Sequence, residues 1–205
     1  MVVSFHAGGI GAWHIERIDP VVGEGPPVAE RLQTSEGEGG VDDRPATWSL
    51  KGITSNERYV ERSERTALTA VQPPLNRETA TCAALIPIRK SEAWWELTQN
   101  GRRAIFEEQS RHIEVGLGYL PAVARRFTTV ATSASPSTLT WFEYAPADAT
   151  QFEELVAQCA VPTNGRSLSG KWTSASLGDF RHVAYHPHHG GHDEPRRARI
   201  DARRP

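Results

Sequence analysis

The segment from residue 97 to 120 constrains the fold more than any other part of this 205-residue sequence. Its positions recur at spacings of three and four, which predicts a helix with one inward face. That face carries Ile105, Gln109, His112, Ile113, Gly116 and Leu120. Pro121 follows at once, and a proline ends or bends a helix near the residue before it. The chain is therefore expected to leave the helix at Leu120 and return in a new direction.

Strands are predicted on both sides of this helix, at residues 48–53, 81–88 and 139–144. The second, TCAALIPI, is almost continuously apolar, which is typical of a strand buried on both faces. The third, LTWFEY, is rich in β-branched and aromatic side chains. Residues 91–95 lead into the helix, and residues 147–158 form a second amphipathic one. This order predicts an α+β fold with helices on one face of an antiparallel sheet.

Two stretches differ in composition from the rest of the chain. Before them, residues 1–22 have the pattern of a strand. Residues 23–46 are rich in Gly, Glu, Asp and Pro, which predicts an exposed, mobile loop. From residue 158 onward the chain becomes small and polar, then rich in His, Pro and Arg. We therefore expect one domain over residues 1–157 and a largely disordered tail over 158–205. Such tails are more often disordered than metal-binding, in spite of five close histidines: His182, His186, His188, His189 and His192.

Charge and composition exclude several function classes. A net charge of −2 gives no field that would indicate nucleic acid or an anionic membrane as partner. No apolar run is long enough to span a bilayer, and the N-terminus lacks the pattern of a signal peptide. Two cysteines make neither a disulfide framework nor a paired metal motif. These features predict a cytoplasmic protein.

His112 is the first candidate for chemistry. An isolated histidine on a helix face is more often a hydrogen-bonded core residue than a ligand. Gly116 and Gly118 favour the other interpretation, because each costs roughly 1 kcal/mol relative to alanine inside a helix. Glycines there make sense if a large flat group lies against the helix. A porphyrin is such a group, and neutral imidazole is a usual axial ligand of haem iron.

Arg125 and Arg126 are the second candidate. On an unbroken helix Arg125 would lie about 20 Å from His112 along the axis, too far for one site. The turn at Pro121 removes that objection, although a pair of solvated arginines is the ordinary alternative.

Four further side chains are candidates for cofactor contacts: Trp94, Trp95, Lys90 and Tyr59. Adjacent tryptophans serve more often in core packing than as a cofactor wall, yet both roles place them near a large apolar object. A surface lysine and a packed tyrosine are the simpler explanations for the other two.

Together these residues resemble the short, dimer-forming branch of the chlorite dismutase family over residues 12–22 and 47–157. The strings that carry the resemblance are GITSNERYVERSE (52–64), LIPIRKSEAWWEL (85–97), FEEQSRHIEVGLGYLPAVARR (106–126) and LTWFEYAPADATQFEELV (139–156). The resemblance implies a ferredoxin-like fold of the dimeric α+β barrel type, haem b as cofactor and a homodimer.

The resemblance also implies residue roles and a reaction, the conversion of chlorite to chloride and dioxygen. His112 would be the axial ligand of the iron and Arg125 the catalytic residue on the opposite side. Trp95 would pack against the haem, and Tyr59 and Lys90 would lie near its propionates. The guanidinium of Arg125 suits the catalytic role because it is always charged and holds an oxyanion by two hydrogen bonds. Arg126 is the weaker alternative.

Two other functions remain open at this point. Coprohaem decarboxylation, in the same superfamily, relies on a distal-side tyrosine, and the motif around Arg125 argues against it. The other is a degenerate, non-catalytic family member that binds haem weakly or not at all.

The sequence departs from the family at residues 127–138 and 161–176. Both stretches can be back-translated into codons that give the family's segments when read one base over. We therefore hypothesise a compensated frameshift over 127–138 and an uncorrected one from about residue 159. The second would remove the family's final strand, and with it the glutamate that accepts the proximal histidine's other N–H. Near Asn164 and Gly165 no carboxylate stands in its place.

Overall fold

The computed structural model describes residues 1–19, 26–37, 45–55, 57–89, 92–130, 137–160 and 182–186. The strands are β1 (Val2–Gly8), β2 (Trp13–Asp19), β3 (Arg31–Glu36), β4 (Trp48–Thr54), β5 (Cys82–Arg89), β6 (Val123–Val130), β7 (Ser137–Tyr144) and β8 (His182–His186). The α-helices are α1 (Arg62–Val71), α2 (Glu92–Glu96), α3 (Gln99–Arg103), α4 (His112–Tyr119) and α5 (Ala149–Ala160). A π-helix spans Ala104–Gln109 and a short 3-10 helix spans Pro146–Asp148.

The strands close into a barrel in the order β1-β3-β2-β8-β5-β7-β6-β4, and every neighbouring pair is antiparallel. The predicted α+β class with an antiparallel sheet is therefore confirmed. No helix in the described ranges is both long enough and apolar enough to cross a membrane.

Strand β5 is buried on both faces, as its apolar run predicts. Ala83 and Leu85 point into the core of the barrel, where they pack with Phe5 and Trp141. The alternate residues of β5 pack on the outside, in a cluster that α5 completes with Phe152. Alternating side chains of one strand thus serve two cores, and the outer core fixes α5 against the sheet.

The predicted helix over 97–120 is broken in the structure. It runs as α3, the π-helix and α4, because side chains near residue 110 take over backbone hydrogen bonds. The Ser110 hydroxyl donates to the carbonyl oxygens of Ile105 and Phe106, and Glu107 Oε2 accepts from the Ile113 amide at 2.9 Å. α4 therefore starts afresh at His112 and ends at Tyr119, just before Pro121.

The prediction of a loop over 23–46 is wrong for part of that stretch. Strand β3 lies inside it and pairs with β1, and its Leu32 is fully buried in the barrel core. The composition of the whole stretch hides this strand, because the Gly- and Glu-rich flanks dominate the average. Residues 20–25 and 38–44 lie outside the described ranges, so the loop prediction stays a prediction there.

The sheet does not lose its last strand, contrary to expectation. Within the tail, β8 pairs with both β2 and β5 and closes the barrel. A ladder is made by backbone groups, so a segment without an alternating apolar pattern can still pair between two strands. The rest of the tail, residues 161–181 and 187–205, lies outside the described ranges, and so does most of the His cluster.

Candidate functional site

A cavity of about 190 Å³ lies between α4, α5 and the outer face of β5 and β7. Its walls are largely apolar, and Ile86, Phe142 and Val156 line it from these elements. The loop before α1 closes one side. Five residues that the sequence marks as candidates line it: Tyr59, Trp94, His112, Gly116 and Arg125.

His112 opens α4 and is half-buried at the cavity wall. Its Nδ1 lies 2.7 Å from Ser110 Oγ, and its ring packs on Phe106 with centroids 4.7 Å apart. The single Ser110 hydroxyl proton is directed at the carbonyl oxygens of the π-helix. Ser110 Oγ therefore accepts the Nδ1 proton of His112, because a hydroxyl has one donor and two acceptor sites. This arrangement leaves the lone pair of a neutral imidazole on Nε2, the form that binds iron.

Arg125 lies on β6 with 14% of its side chain exposed. Its Nη2 donates to Glu57 Oε1 at 3.1 Å and its Nε donates to Gln72 Oε1 at 3.3 Å. The Gln72 amide also donates to the Arg125 carbonyl oxygen at 3.1 Å. Burial lowers the pKa of the Arg125 guanidinium, and the attraction of Glu57 opposes that shift. The guanidinium remains charged at neutral pH.

α4 brings Gly116 one turn beyond His112 and directly opposite Arg125. A Cβ built on Gly116 would lie 3.7 Å from Arg125 Nη1. The helix that carries His112 and the strand that carries Arg125 thus approach each other closely at this glycine, and both side chains face one cavity.

The two tryptophans take different places. Trp94 is buried and lines the cavity, where Tyr59 meets it edge-on with ring centroids 5.8 Å apart. Trp95, which the resemblance names as the haem-packing residue, lies outside the cavity lining and beneath the Arg102 guanidinium at 5.1 Å. Lys90 and the side chain of Arg126 lie outside the described part of the chain.

Several residues of the site are not marked by the sequence, among them Glu57, Ser110 and Cys159. Glu57 and Cys159 line the cavity. Burial raises the pKa of the Cys159 thiol to about 11, although the Arg125 charge opposes this. No periodic pattern marks these residues. Only Ser110 could have been suspected from the sequence, because it is a polar residue two positions before the candidate ligand His112.

The donor set suits a haem. No group of three or more His, Cys, Asp or Glu side chains that could hold a metal ion occurs among the described residues. A single imidazole on an aromatic and apolar wall fits a metal whose other ligands belong to a flat cofactor. Arg58 adds a cation to the lining. The residues present therefore fit a haem with His112 as its protein ligand.

No protein-family model matches the chain, and no curated protein matches it either. Among solved structures, the dimeric chlorite dismutase from Nitrobacter winogradskyi is 43% identical, with a TM-score of 0.72, and the match covers 89% of this chain and 96% of that one. Two mutant chlorite dismutases from Candidatus Nitrospira defluvii are 23% and 22% identical, each with a TM-score of 0.52 over 69% of this chain and 54% of theirs. The latter two support the fold alone. The identity and coverage of the first place this chain in the chlorite dismutase family.

Proposed function

We propose that this protein binds haem b through His112 and converts chlorite to chloride and dioxygen, with Arg125 holding the anion. The observation that carries the proposal is one cavity lined by both residues, with His112 Nδ1 held 2.7 Å from Ser110 Oγ and the Arg125 guanidinium largely buried. The similarity to a chlorite dismutase supports the reaction class.

Arg125 performs the part of the reaction that falls to the protein. A largely buried positive charge attracts an anion more strongly than an exposed one does, because little water screens it. The planar guanidinium can hold a chlorite oxygen by directed hydrogen bonds. Glu57 and Gln72 hold the guanidinium at the cavity wall before the anion arrives, so its position does not have to be found during binding.

The apolar wall and His112 have separate tasks. Trp94, Phe142 and Ile86 exclude water from the cavity, which prolongs the stay of an anion beside Arg125. His112 would hold the cofactor through Nε2, while Ser110 Oγ accepts from Nδ1 and orients the ring. When bound, haem b supplies the redox chemistry by which both oxygen atoms of chlorite leave as dioxygen.

The proposal is tested by oxygen evolution from chlorite with the haem-reconstituted protein. We expect oxygen release that collapses in His112→Ala, which loses haem, and in Arg125→Ala, which keeps it. Haem that binds without any oxygen release would mean a different reaction. A chain that binds no haem would instead be a degenerate, non-catalytic member of the family.

We also propose that the protein forms a homodimer, since the Nitrobacter protein it resembles is described as dimeric. Light scattering coupled to size-exclusion chromatography measures the mass directly. A monomer of the 22.6 kDa chain mass would refute this part of the proposal without affecting the rest.

A further inference from the structure

Arg125 is paired inside the cavity with a carboxylate. Glu57 Oε1 accepts from Arg125 Nη2 at 3.1 Å, and the two side chains are 20% and 14% exposed. Both residues line the cavity. The positive charge that would receive an anion is therefore already neutralised by a fixed negative charge of the protein.

An incoming anion meets that carboxylate in one of two ways. It either displaces Glu57 from Nη2, which breaks a charge-assisted hydrogen bond, or it binds beside Glu57 and experiences like-charge repulsion in a poorly hydrated space. Both routes weaken anion binding. Neither affects a neutral ligand to the same degree.

A second cation stands on the outer side of the carboxylate. Arg65 Nε lies 4.0 Å from Glu57 Oε2, and the Arg65 side chain is 54% exposed. Glu57 is thus shared between a buried arginine and a largely solvated one. A carboxylate that leaves Arg125 moves toward a partner that is already close.

We infer that Glu57 is a positioning residue that sets the anion affinity of this site: it holds Arg125 in place and competes with the anion, while Arg65 accepts the released carboxylate. The inference deepens the proposed function, because the competing anion is the substrate class proposed above. It predicts that Glu57→Gln strengthens anion entry and that Arg65→Gln weakens it.

Cys159 provides a test that needs neither haem nor turnover. Its thiol lines the same cavity, and the Arg125 charge acts on it. The ratio of its alkylation rates with iodoacetate, an anion, and iodoacetamide, its neutral analogue, reports anion entry. Mass spectrometry of the Cys159 peptide measures both alkylation rates at fixed pH. A change in the reactivity of the thiol itself alters both rates equally and therefore cancels in their ratio.

We expect Glu57→Gln to raise this ratio about fivefold to tenfold, the order of a removed like charge at short range. Arg125→Gln should lower it, which establishes that the ratio senses the guanidinium. Glu114→Gln on the exposed side of α4 is the matched control, since it changes the net charge equally, lies outside the cavity lining and should leave the ratio within about twofold.

The role of Arg65 is tested by epistasis at about 0.5 M salt, where the field of an exposed charge is largely screened. Arg65→Gln should lower the ratio about threefold in the unsubstituted chain and have almost no effect when Glu57→Gln is also present. An equal effect in both backgrounds would overturn the transfer of the carboxylate to Arg65.

The haem-loaded protein gives the second measurement. Fluoride and imidazole are titrated by visible absorption, and Glu57→Gln should tighten fluoride binding about tenfold while imidazole binding stays within about twofold. If Glu57→Gln leaves both the alkylation ratio and the fluoride affinity unchanged, the inference is overturned. Failure to take up haem would instead refute the proposed function, and the alkylation ratio would still decide the role of Glu57.

Discussion

The hydrogen bond between Ser110 and His112 makes a sharp prediction about haem retention. Ser110 Oγ lies 2.7 Å from His112 Nδ1, while its own proton is directed at carbonyl oxygens of the π-helix. Ser110→Ala removes the acceptor of the Nδ1 proton. One hydrogen bond of the turn does not involve the side chain, since the Ser110 amide donates to the Ile105 carbonyl oxygen at 3.1 Å.

The expected loss follows from the role of that acceptor. Partners of a ligating histidine typically change metal affinity by about 10- to 100-fold, which corresponds to about 1.4 to 2.7 kcal/mol of binding free energy. We expect haem dissociation from Ser110→Ala to accelerate by this factor. The imidazole also becomes a poorer donor without its acceptor, so the iron–histidine stretching frequency of the ferrous protein should fall.

Transfer of haem to excess apomyoglobin measures the dissociation rate, and resonance Raman spectroscopy measures the stretching frequency. Ser110→Thr is the matched control, since it keeps a hydroxyl and should stay close to the unsubstituted protein. Ser110→Ala with an unchanged dissociation rate and an unchanged frequency would refute the assignment of the Nδ1 proton to Ser110.

Three further outcomes are expected. Phe152→Ala should lower the free energy of unfolding by about 3 to 5 kcal/mol in a urea titration, because this fully buried ring fills the outer core. Phe152→Leu should lower it clearly less. Equal losses in the two variants would argue against that packing role. A hydrogen bond from Arg103 lowers the pKa of Glu64 from its ordinary value of 4.5. The pair therefore stabilises the fold above pH 4.5, and this stabilisation is lost as the pH falls through the lowered pKa. Glu64→Gln should therefore flatten the decline of unfolding free energy between about pH 5 and 3, and an unchanged slope would contradict the pairing. Resequencing of the coding DNA tests the frameshift hypothesis for residues 127–138 and 159–205, which fails if no shifted reading restores the family's segments.

The sequence predicts those elements whose signal is local. Strands β4, β5 and β7 follow from runs of β-branched, aromatic or continuously apolar residues, and the end of α4 follows from Pro121. Periodicity does not reveal the break near residue 110, where the Ser110 hydroxyl donates to a backbone carbonyl oxygen and the Glu107 carboxylate accepts from the Ile113 amide. Strand β3 is missed because a single buried leucine, Leu32, carries its inward face.

The candidate site divides in the same way. His112 and Arg125 are found from a helix pattern, a proline turn and a family resemblance, and they do line one cavity. Which of two adjacent tryptophans faces that cavity depends on the phase of the five-residue helix α2, which the sequence leaves undefined. Glu57 lies 68 residues from Arg125 in sequence, so their pairing is a consequence of the tertiary fold alone.

The segments in which we hypothesise frameshifts still take part in the barrel. β6 continues through Val130 and pairs with β7 although residues 127–138 depart from the family, and β8 closes the gap between β2 and β5 with residues from the divergent tail. Ladder hydrogen bonds involve only the backbone, so they tolerate such replacement. Side-chain functions do not tolerate it, because a carboxylate at one position cannot be replaced by backbone pairing. The orientation of His112 is such a side-chain function, since Ser110 Oγ lies 2.7 Å from its Nδ1.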